Sequence, residues 1–432
     1  MRSSARLQTT IELVDKINIS TNQSADKIIS NHFRKNRYIG AKDRRQISLT
    51  LFSIIRNQAK LTWVAGSQSA RLLAIAHHTI IENLSKDQIL SLFDGSEYGP
   101  NPLVENELVF LDKIFKKPPK IEEMPNWCQI EMPEWIMSDL TKKWGSTLFE
   151  ETLALNTPAP MDLRVNLLKT DRLLVRDKLE KEGINPKLTQ YSSVGLRIAH
   201  RVNILGSDLF KNGLVEIQDE GSQLVSLLVD PQPNMLVIDL CAGSGGKTLA
   251  MAPIMQNTGK IFACDVNEKR LSGLLPRLKR AHVTNVSKVL LTGLDDSFYS
   301  DLDSSADRVV VDVPCSGSGI WRRNPDEKWK LSTEQLSNYV KEQSNLLQTG
   351  AKLVSPSGRL IYITCSILSI ENEDQINTFL SKNKSFRLIN IKKIWQNLIG
   401  KISPTIENNF LNLTPFSSHT DGFFCAIMER VD

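Results

Sequence analysis

What this sequence lacks narrows the options first. Six cysteines are scattered through 432 residues (Cys128, Cys241, Cys264, Cys315, Cys365 and Cys425), and no two form a C-x-x-C pair. That argues against a zinc site and a disulfide framework, and fits reduced thiols in a cytoplasmic protein. No apolar run approaches the ~18 residues of a membrane span. The opening "MRSSARLQTT" has no apolar core, so neither a membrane anchor nor a secretory leader is expected. Internal repeats and low-complexity tracts are missing too, which sets solenoids and disordered tails aside.

Acidic residues are scarce at one end. Residues 1–60 hold twelve Lys or Arg against four Asp or Glu, an excess of eight in a chain whose net charge is only +5. The run "RKNRYIGAKDRR", Arg34 to Arg45, is the densest part. Such a face attracts polyanions such as RNA, although a solvated helical surface has the same composition. An apolar fraction of 41% and a charged fraction of 23% describe a globular chain. Its length suggests two or three domains.

The periodicity divides the chain in three. Residues 1–130 read as helices, with apolar spacing of three and four in "SADKIISNHFRKN" and "DRRQISLTLFSIIRNQAKL". Ser24 and Asp43 stand where N-caps belong, and "ARLLAIAHHTIIENL" reads as a central helix. The proline-rich, charged "FKKPPKIEEMPNW" reads as a linker. Residues 134–220 read as a small α+β module. From residue 221 strands and helices alternate: "MLVIDL", "KIFACDV", "VSKVLL", "RVVVDV" and "GRLIYITCS" are strands, and "EKRLSGLLPRLKRA" is a helix interrupted at Pro276. Alternation of this kind predicts an α/β, Rossmann-like, doubly wound sheet whose ligands sit at the C-terminal strand ends.

The motifs fall at those ends. "VIDLCAGSGGKT" links a strand to a helix. A phosphate loop of the form G-x-x-x-x-G-K-[ST] would need glycine at Cys241, and Gly243, Gly245 and Gly246 do not have dinucleotide spacing. A loop for S-adenosylmethionine remains, since glycines let the backbone approach a ligand without phosphate. Asp265 ends the next strand, where a carboxylate accepts ribose hydroxyls of either NAD or S-adenosylmethionine. Asp239 ends the first strand, near a ligand's amino group. An ordinary strand-end solvent position is the bland alternative for either aspartate.

Two cysteines end strands as well: Cys315 in "VVVDVPCSGSGIWRRNPD" and Cys365 in "YITCS". Cys128, Cys264 and Cys425 read as inert core, whereas the Pro-Cys-Ser and Thr-Cys-Ser contexts point to exposed turns. One chemistry uses such a pair. C5 of cytosine is a poor nucleophile until a thiolate adds to C6, and after methylation the C5 proton must leave before the thiol can. Asp312 is placed for the base edge, with Lys247 to orient it. Lys247, Arg322 and Arg323 are candidates for the electropositive setting that a reactive thiol needs.

These pieces resemble a known family: the RNA 5-cytosine methyltransferases of the bacterial ribosomal small-subunit methyltransferase B and Nop2/Sun type. The resemblance rests on "DLRVNLLKT", "IQDEGSQLV", "DLCAGSGGKT", "ACDVNEKRL", "DVPCSGSGIWRRNPDEKW", "YITCS" followed by Glu371-Asn372-Glu373, and "DGFFCA", over about residues 133–432. It implies that Cys365 is the nucleophile and Cys315 assists release, with Asp312 and Lys247 beside them. The cofactor would rest on Cys241, Ala242, Gly243, Ser244, Gly245, Gly246 and Lys247, together with Asp265 and Asp312. A further acid near the adenine would be Asp295 or Asp296. The family's usual Cys-Ala-Ala-Pro-Gly-Gly-Lys loop is altered here, Gly243-Ser244 replacing Ala-Pro, which implies a less rigid turn. "ADKIISNHFRKNRYIGAKDRRQISLTLFSIIRN" is similar to a NusB-type helical RNA-binding domain, and residues 134–220 to an RNA-recognition-like module. The implied protein is a cytoplasmic, monomeric, S-adenosylmethionine-dependent enzyme acting on ribosomal RNA. The alternatives are a methyltransferase for transfer RNA, a non-catalytic RNA-binding protein of the same fold, an amine or protein methyltransferase and a nicotinamide dehydrogenase. The last two leave both cysteine motifs without a use.

Overall fold

A computed structural model of the chain describes all residues except 21, 201, 294–296, 402, 404, 405 and 408. They gather into two compact units. One comprises Met1–Thr157 with Trp321–Leu331, the other Pro158–Ile320 with Ser332–Asp432.

The first unit is built from helices, including Ser3–Ile19, Ala25–Lys35, Ala41–Arg56, Ala70–Ile80 and Glu105–Lys116. Leu13, Leu51, Leu61, Leu73 and Ala74 form its fully buried centre, so "ARLLAIAHH" is the central helix its composition suggests. Ser24 does stand at an N-cap, but Asp43 does not. The helix starts after Gly40, and Asp43 lies in its first turn, where its carboxylate takes a hydrogen bond from Arg6. Within the expected linker Met124 is buried, and with Cys128 just beyond it packs against Ala59, so this stretch is partly core.

Trp321–Leu331 joins the helices although it follows the Pro-Cys motif by only a few residues. It is pinned at several points. Asp326 accepts the Ala25 amide at 2.9 Å, the Trp329 indole donates to the Ile55 carbonyl at 3.3 Å, and Arg56 donates to the Arg322 carbonyl at 2.8 Å. Lys328, almost fully buried, donates to Asn156 at 3.2 Å. Burial pulls Lys328 down to about 8, and burial pushes Glu131 up to about 7 while Lys328's charge opposes that shift.

The second unit contains two sheets. In the smaller, β1 (Met161–Val165), β2 (Lys187–Leu188), β3 (Gly195–Ile198) and β4 (Val215–Ile217) run antiparallel in the order β2-β3-β1-β4. The helix Arg172–Lys181 covers it through Val175 and Leu179. The larger sheet holds β5 (Leu236–Asp239), β6 (Lys260–Asp265), β7 (Val286–Leu290), β8 (Ala306–Asp312), β9 (Val354–Thr364), β10 (Phe386–Leu388), β11 (Ile406–Glu407), β12 (Phe410–Leu413) and β13 (Phe423–Arg430). Its order is β11-β12-β13-β9-β8-β5-β6-β7, with β10 paired to β13. The pairs from β7 to β9 are parallel, and β13 returns antiparallel on β9. Val309, Val310 and Val311 are each fully buried, which is why this strand reads as a continuous apolar run: both faces of a parallel sheet are covered.

The helix after β6 breaks at Gly273, between Glu268–Ser272 and Leu274–Ala281, and not at Pro276. Pro276 occupies the first turn of the second piece, where a missing N–H costs nothing because those donors have no partner within the helix.

Candidate active site

Three of the parallel strands end in aspartate: β5 at Asp239, β6 at Asp265 and β8 at Asp312. The glycine loop runs across these ends from Cys241 to Lys247. Its turn closes with the Gly245 amide donating to the Ala242 carbonyl at 2.8 Å. Gly243 has φ +56°, and a Cβ there would meet nothing within 4 Å, so glycine is required by conformation and open space lies above it. Gly245 has φ +84° and packs so tightly that a Cβ would sit 2.1 Å from Leu274.

Side chains from outside supply the stiffness that the lost proline would have given. The Arg277 guanidinium donates to the Ser244 carbonyl at 2.6 Å and to its hydroxyl at 3.1 Å, and is itself held by Glu216 at 3.0 Å. Arg164 of β1 reaches the Gly246 carbonyl at 2.8 Å and also bonds Gln218. Burial lowers Arg164 to about 10. Sequence reasoning missed both arginines: Arg164 stands within "DLRVNLLKT" and Arg277 in no motif, and each acts on backbone atoms that the sequence does not point to. Cys241 is held protonated by burial and serves as packing at the start of the loop.

Asp265 uses both carboxylate oxygens on backbone, accepting the Gly243 amide at 2.9 Å and the Asn267 amide at 2.7 Å. Each oxygen keeps a lone pair for a ribose hydroxyl. Asp239 is fully buried. Its Oδ2 accepts the Thr248 hydroxyl at 2.7 Å and its Oδ1 has no partner, and burial raises it to about 7 in spite of that bond. Asp295 and Asp296 lie outside the described residues.

Lys247 donates to Asp312 at 2.5 Å. Burial pulls the lysine down, but the Asp312 carboxylate outweighs it and the net shift is upward, so the ammonium is firmly charged. A P-loop lysine must be available to phosphate; this one is engaged by a carboxylate. The open face above Gly243, the free lone pairs of Asp265 and the partnerless oxygen of Asp239 suit an adenosyl group without phosphate.

β8 and β9 are adjacent and parallel, with Asp312 level with Ile363. The two cysteine loops therefore leave the same edge of the sheet. Cys315 Sγ lies 3.4 Å from Cys365 Sγ. Both thiols are half-buried where exposed turns were expected. The bond to Cys365 raises Cys315 well above the usual thiol range, with burial and the charges of Cys365 and Glu371 adding to it. Cys128, Cys264 and Cys425 are fully buried, as expected of core cysteines. Of the three expected cations, Lys247 stands in this site, while Arg322 and Arg323 belong to the segment grouped with the helices.

The helical unit carries a different candidate surface. A cleft of about 1520 Å³ is lined by Arg2, Lys16, His32, Lys35, Tyr38 and Tyr98 among others, and both tyrosines are largely exposed. Arg34, Lys35, Arg37 and Arg45 are exposed. Arg44 is not part of this free charge: it donates to the Ile39 carbonyl at 2.7 Å and stacks over Phe33.

A Rossmann-like methyltransferase sheet with a glycine loop and paired cysteines at one edge is the class that this fold and site define. Comparison with known proteins gives the family. Residues 226–429 match the model of the 16S rRNA methyltransferase RsmB/F family, and residues 132–205 match the ferredoxin-like domain of the same enzymes. A probable ribosomal RNA small subunit methyltransferase B of Synechocystis is 31% identical over 304 residues, covering 70% of this chain and 67% of the relative. Its counterpart in Bacillus subtilis is 29% identical, covering 69% and 66%. The matched stretch thus spans about two thirds of these relatives' length. The solved structure of PH0851 superposes with a TM-score of 0.80 at 26% identity, over 100% of this chain and 99% of that one. A methyltransferase homologue from Pyrococcus horikoshii gives 0.60 at 27% identity, over 70% and 97%. The chain belongs to the RsmB/F family of rRNA methyltransferases. Among the described residues no helix is long and apolar enough to cross a membrane.

Proposed function

We propose that this protein transfers a methyl group from S-adenosylmethionine to C5 of a cytosine in RNA, most simply small-subunit ribosomal RNA, through a covalent bond from Cys365 to C6. One observation carries the reading: two thiols 3.4 Å apart at the strand ends beside a Lys247–Asp312 ion pair. An amine methyltransferase has no use for either thiol, and a binding protein has none for the pair.

The cofactor supplies an electrophilic methyl on a sulfonium when bound to the glycine loop, Asp265 and Asp239. Asp312, fixed by Lys247, faces the base edge and steadies the charge that develops around N3 and the exocyclic amine. The Cys365 thiolate adds to C6 and its electron pair moves through the ring to C5, which becomes the nucleophile for the methyl. A general base then takes the C5 proton, the pair of that C–H bond re-forms the C5–C6 double bond, and the bond from C6 to Cys365 breaks with its pair leaving on the sulfur. Cys315 assists this last step and is not needed for the first.

Two chemically identical substitutions should therefore behave in opposite ways. Cys315→Ala, incubated with RNA and cofactor, should give an RNA-linked protein band that survives denaturant, because attack proceeds and release stalls. Cys365→Ala should give no band and no product, and the double variant should match it. A stable band with Cys365→Ala alone would make Cys315 the nucleophile. Full activity in both single variants would remove the thiols from the mechanism.

A further inference from the structure

The resemblance notes Glu371 only as part of a motif, and the mechanism above gives it no task. Its surroundings are unusual. It closes a short turn, Ser369–Glu371, six residues beyond Cys365, and its side chain is fully buried. The carboxylate accepts the Ser316 amide at 2.8 Å and the Ser316 hydroxyl, both from the Cys315 loop. It also accepts the Ser366 hydroxyl from the Cys365 loop and the Gln343 amide, at 2.9 Å, from the helix Thr333–Leu353. The same Gln343 nitrogen donates to the Pro314 carbonyl at 2.9 Å, and Gln375 donates to the Gln343 oxygen at 3.2 Å. Tyr362 of β9 donates to the Glu371 backbone carbonyl at 2.6 Å. One buried carboxylate thus fastens together the two loops that carry the thiols.

All four of its donors are neutral. A buried carboxylate is costly unless nearly every lone pair is used, and a neutral side chain would serve if fastening were the only need. The charges at the site are arranged asymmetrically. The Cys315 thiol feels the Glu371 carboxylate, and Lys247 feels Cys365. An anion beside one thiol opposes a second negative charge there, while a cation beside the other favours it.

We infer that Glu371 is a positioning residue that fastens the two cysteine loops together and, by its charge, keeps Cys315 a protonated thiol so that Cys365 is the one to ionise. Cys315 then offers its S–H to the Cys365 sulfur across 3.4 Å and stays out of the attack. The groups that face the pair are Glu371 and Tyr362 on the Cys315 side and Lys247 with its partner Asp312 on the Cys365 side. The catalytic meaning rests on the proposed function, but the thiol order itself needs neither RNA nor cofactor.

The test uses the full chain and iodoacetamide, with peptide mass spectrometry to read which sulfur is alkylated between pH 6 and 9. In the unaltered protein Cys365 should label first. Glu371→Gln should raise the Cys315-to-Cys365 labelling ratio by roughly tenfold, the equivalent of one pKa unit. Glu371→Asp, which keeps the charge, should bring the ratio back toward the original. Ser366→Ala removes one fastening bond and leaves the charge, so it should preserve the order, and it provides a folded comparison where Glu371→Gln melts. An unchanged ratio in folded Glu371→Gln, an equal rise at both sulfurs, or a reversed order in Ser366→Ala would each overturn the inference. In methyl-transfer assays Glu371→Gln should lower kcat and leave the KM for S-adenosylmethionine within about twofold. Failure there alongside a shifted labelling ratio would count against the proposed reaction and not against the charge arrangement.

Discussion

At the scale of single residues, Asp265 shows how one side chain can hold two jobs that substitution would confuse. Its oxygens tie the Gly243 and Asn267 amides, and its remaining lone pairs suit a ribose. Asp265→Ala removes both functions. Asp265→Asn keeps one acceptor for backbone and replaces the other with a donor that cannot accept from a hydroxyl. Loss of charge-assisted bonds is worth ~1.5–3 kcal/mol each at most. Calorimetry should therefore show weakened S-adenosylmethionine binding of roughly tenfold or more in both variants, with the Ala variant weaker than the Asn variant. Equal affinity in all three proteins would reject the ribose assignment. Which acids mattered was legible from strand ends and spacing. The pairing of Lys247 with Asp312, 65 residues apart, was legible too. The partners of Asp265 and Asp239 were not, because they are the Gly243 and Asn267 amides and the Thr248 hydroxyl, which no motif marks as their partners.

Elements show the same division between what periodicity reveals and what packing decides. The strands around Asp239, Asp265, Asp312 and Cys365 were all legible as apolar runs, since a parallel sheet buries both faces. The break at Gly273 was not, because proline disrupts a helix interior but not its first turn. Nor was the grouping of Trp321–Leu331 with the helices, whose anchors at Ala25, Ile55 and Asn156 lie about 170 to 300 residues earlier. The helix Ala70–Ile80 offers a test at this scale. His77 is buried with Ser53 on one ring nitrogen, and His78 and Glu82 are its titratable neighbours. Burial, with some help from His78, pushes His77 down to about 4, and Glu82 opposes this. The native state thus resists a proton that the unfolded chain takes up near pH 6.5. Its contribution is fully present above pH 6.5 and is lost as pH falls toward 4, on the order of 3 kcal/mol. The apparent melting temperature should drop over that window, and should drop less in His77→Leu. An equal fall in both proteins would show that other groups carry the acid sensitivity.

For the molecule as a whole, the net charge of +5 conceals the separation that matters. The excess of eight positive charges in residues 1–60 falls on the helical unit, and the remaining chain is slightly acidic. Composition located that excess but could not separate free cations from structural ones. Arg44 stacks on Phe33 and binds a carbonyl, so reversing it would damage the fold before it tested RNA binding. Arg34, Lys35, Arg37 and Arg45 are exposed and suit the experiment, and Tyr38 and Tyr98 at the cleft offer faces on which bases can stack. Each phosphate neutralised by a cation releases condensed counterions, so log K falls with log salt in proportion to the contacts made. Reversing the four exposed cations to Glu should weaken RNA binding at low salt by more than tenfold and make the salt slope shallower by up to about 3, at ~0.7 per contact for single strands. Tyr38→Ala with Tyr98→Ala should weaken binding without changing the slope, because stacking is worth ~1–3 kcal/mol per base and releases no counterions. Affinity for S-adenosylmethionine should be unchanged in both sets, since all of these residues belong to the helical unit and the glycine loop to the other. A slope that stays the same after reversal would mean that RNA is held elsewhere and that the basic run is only a solvated face.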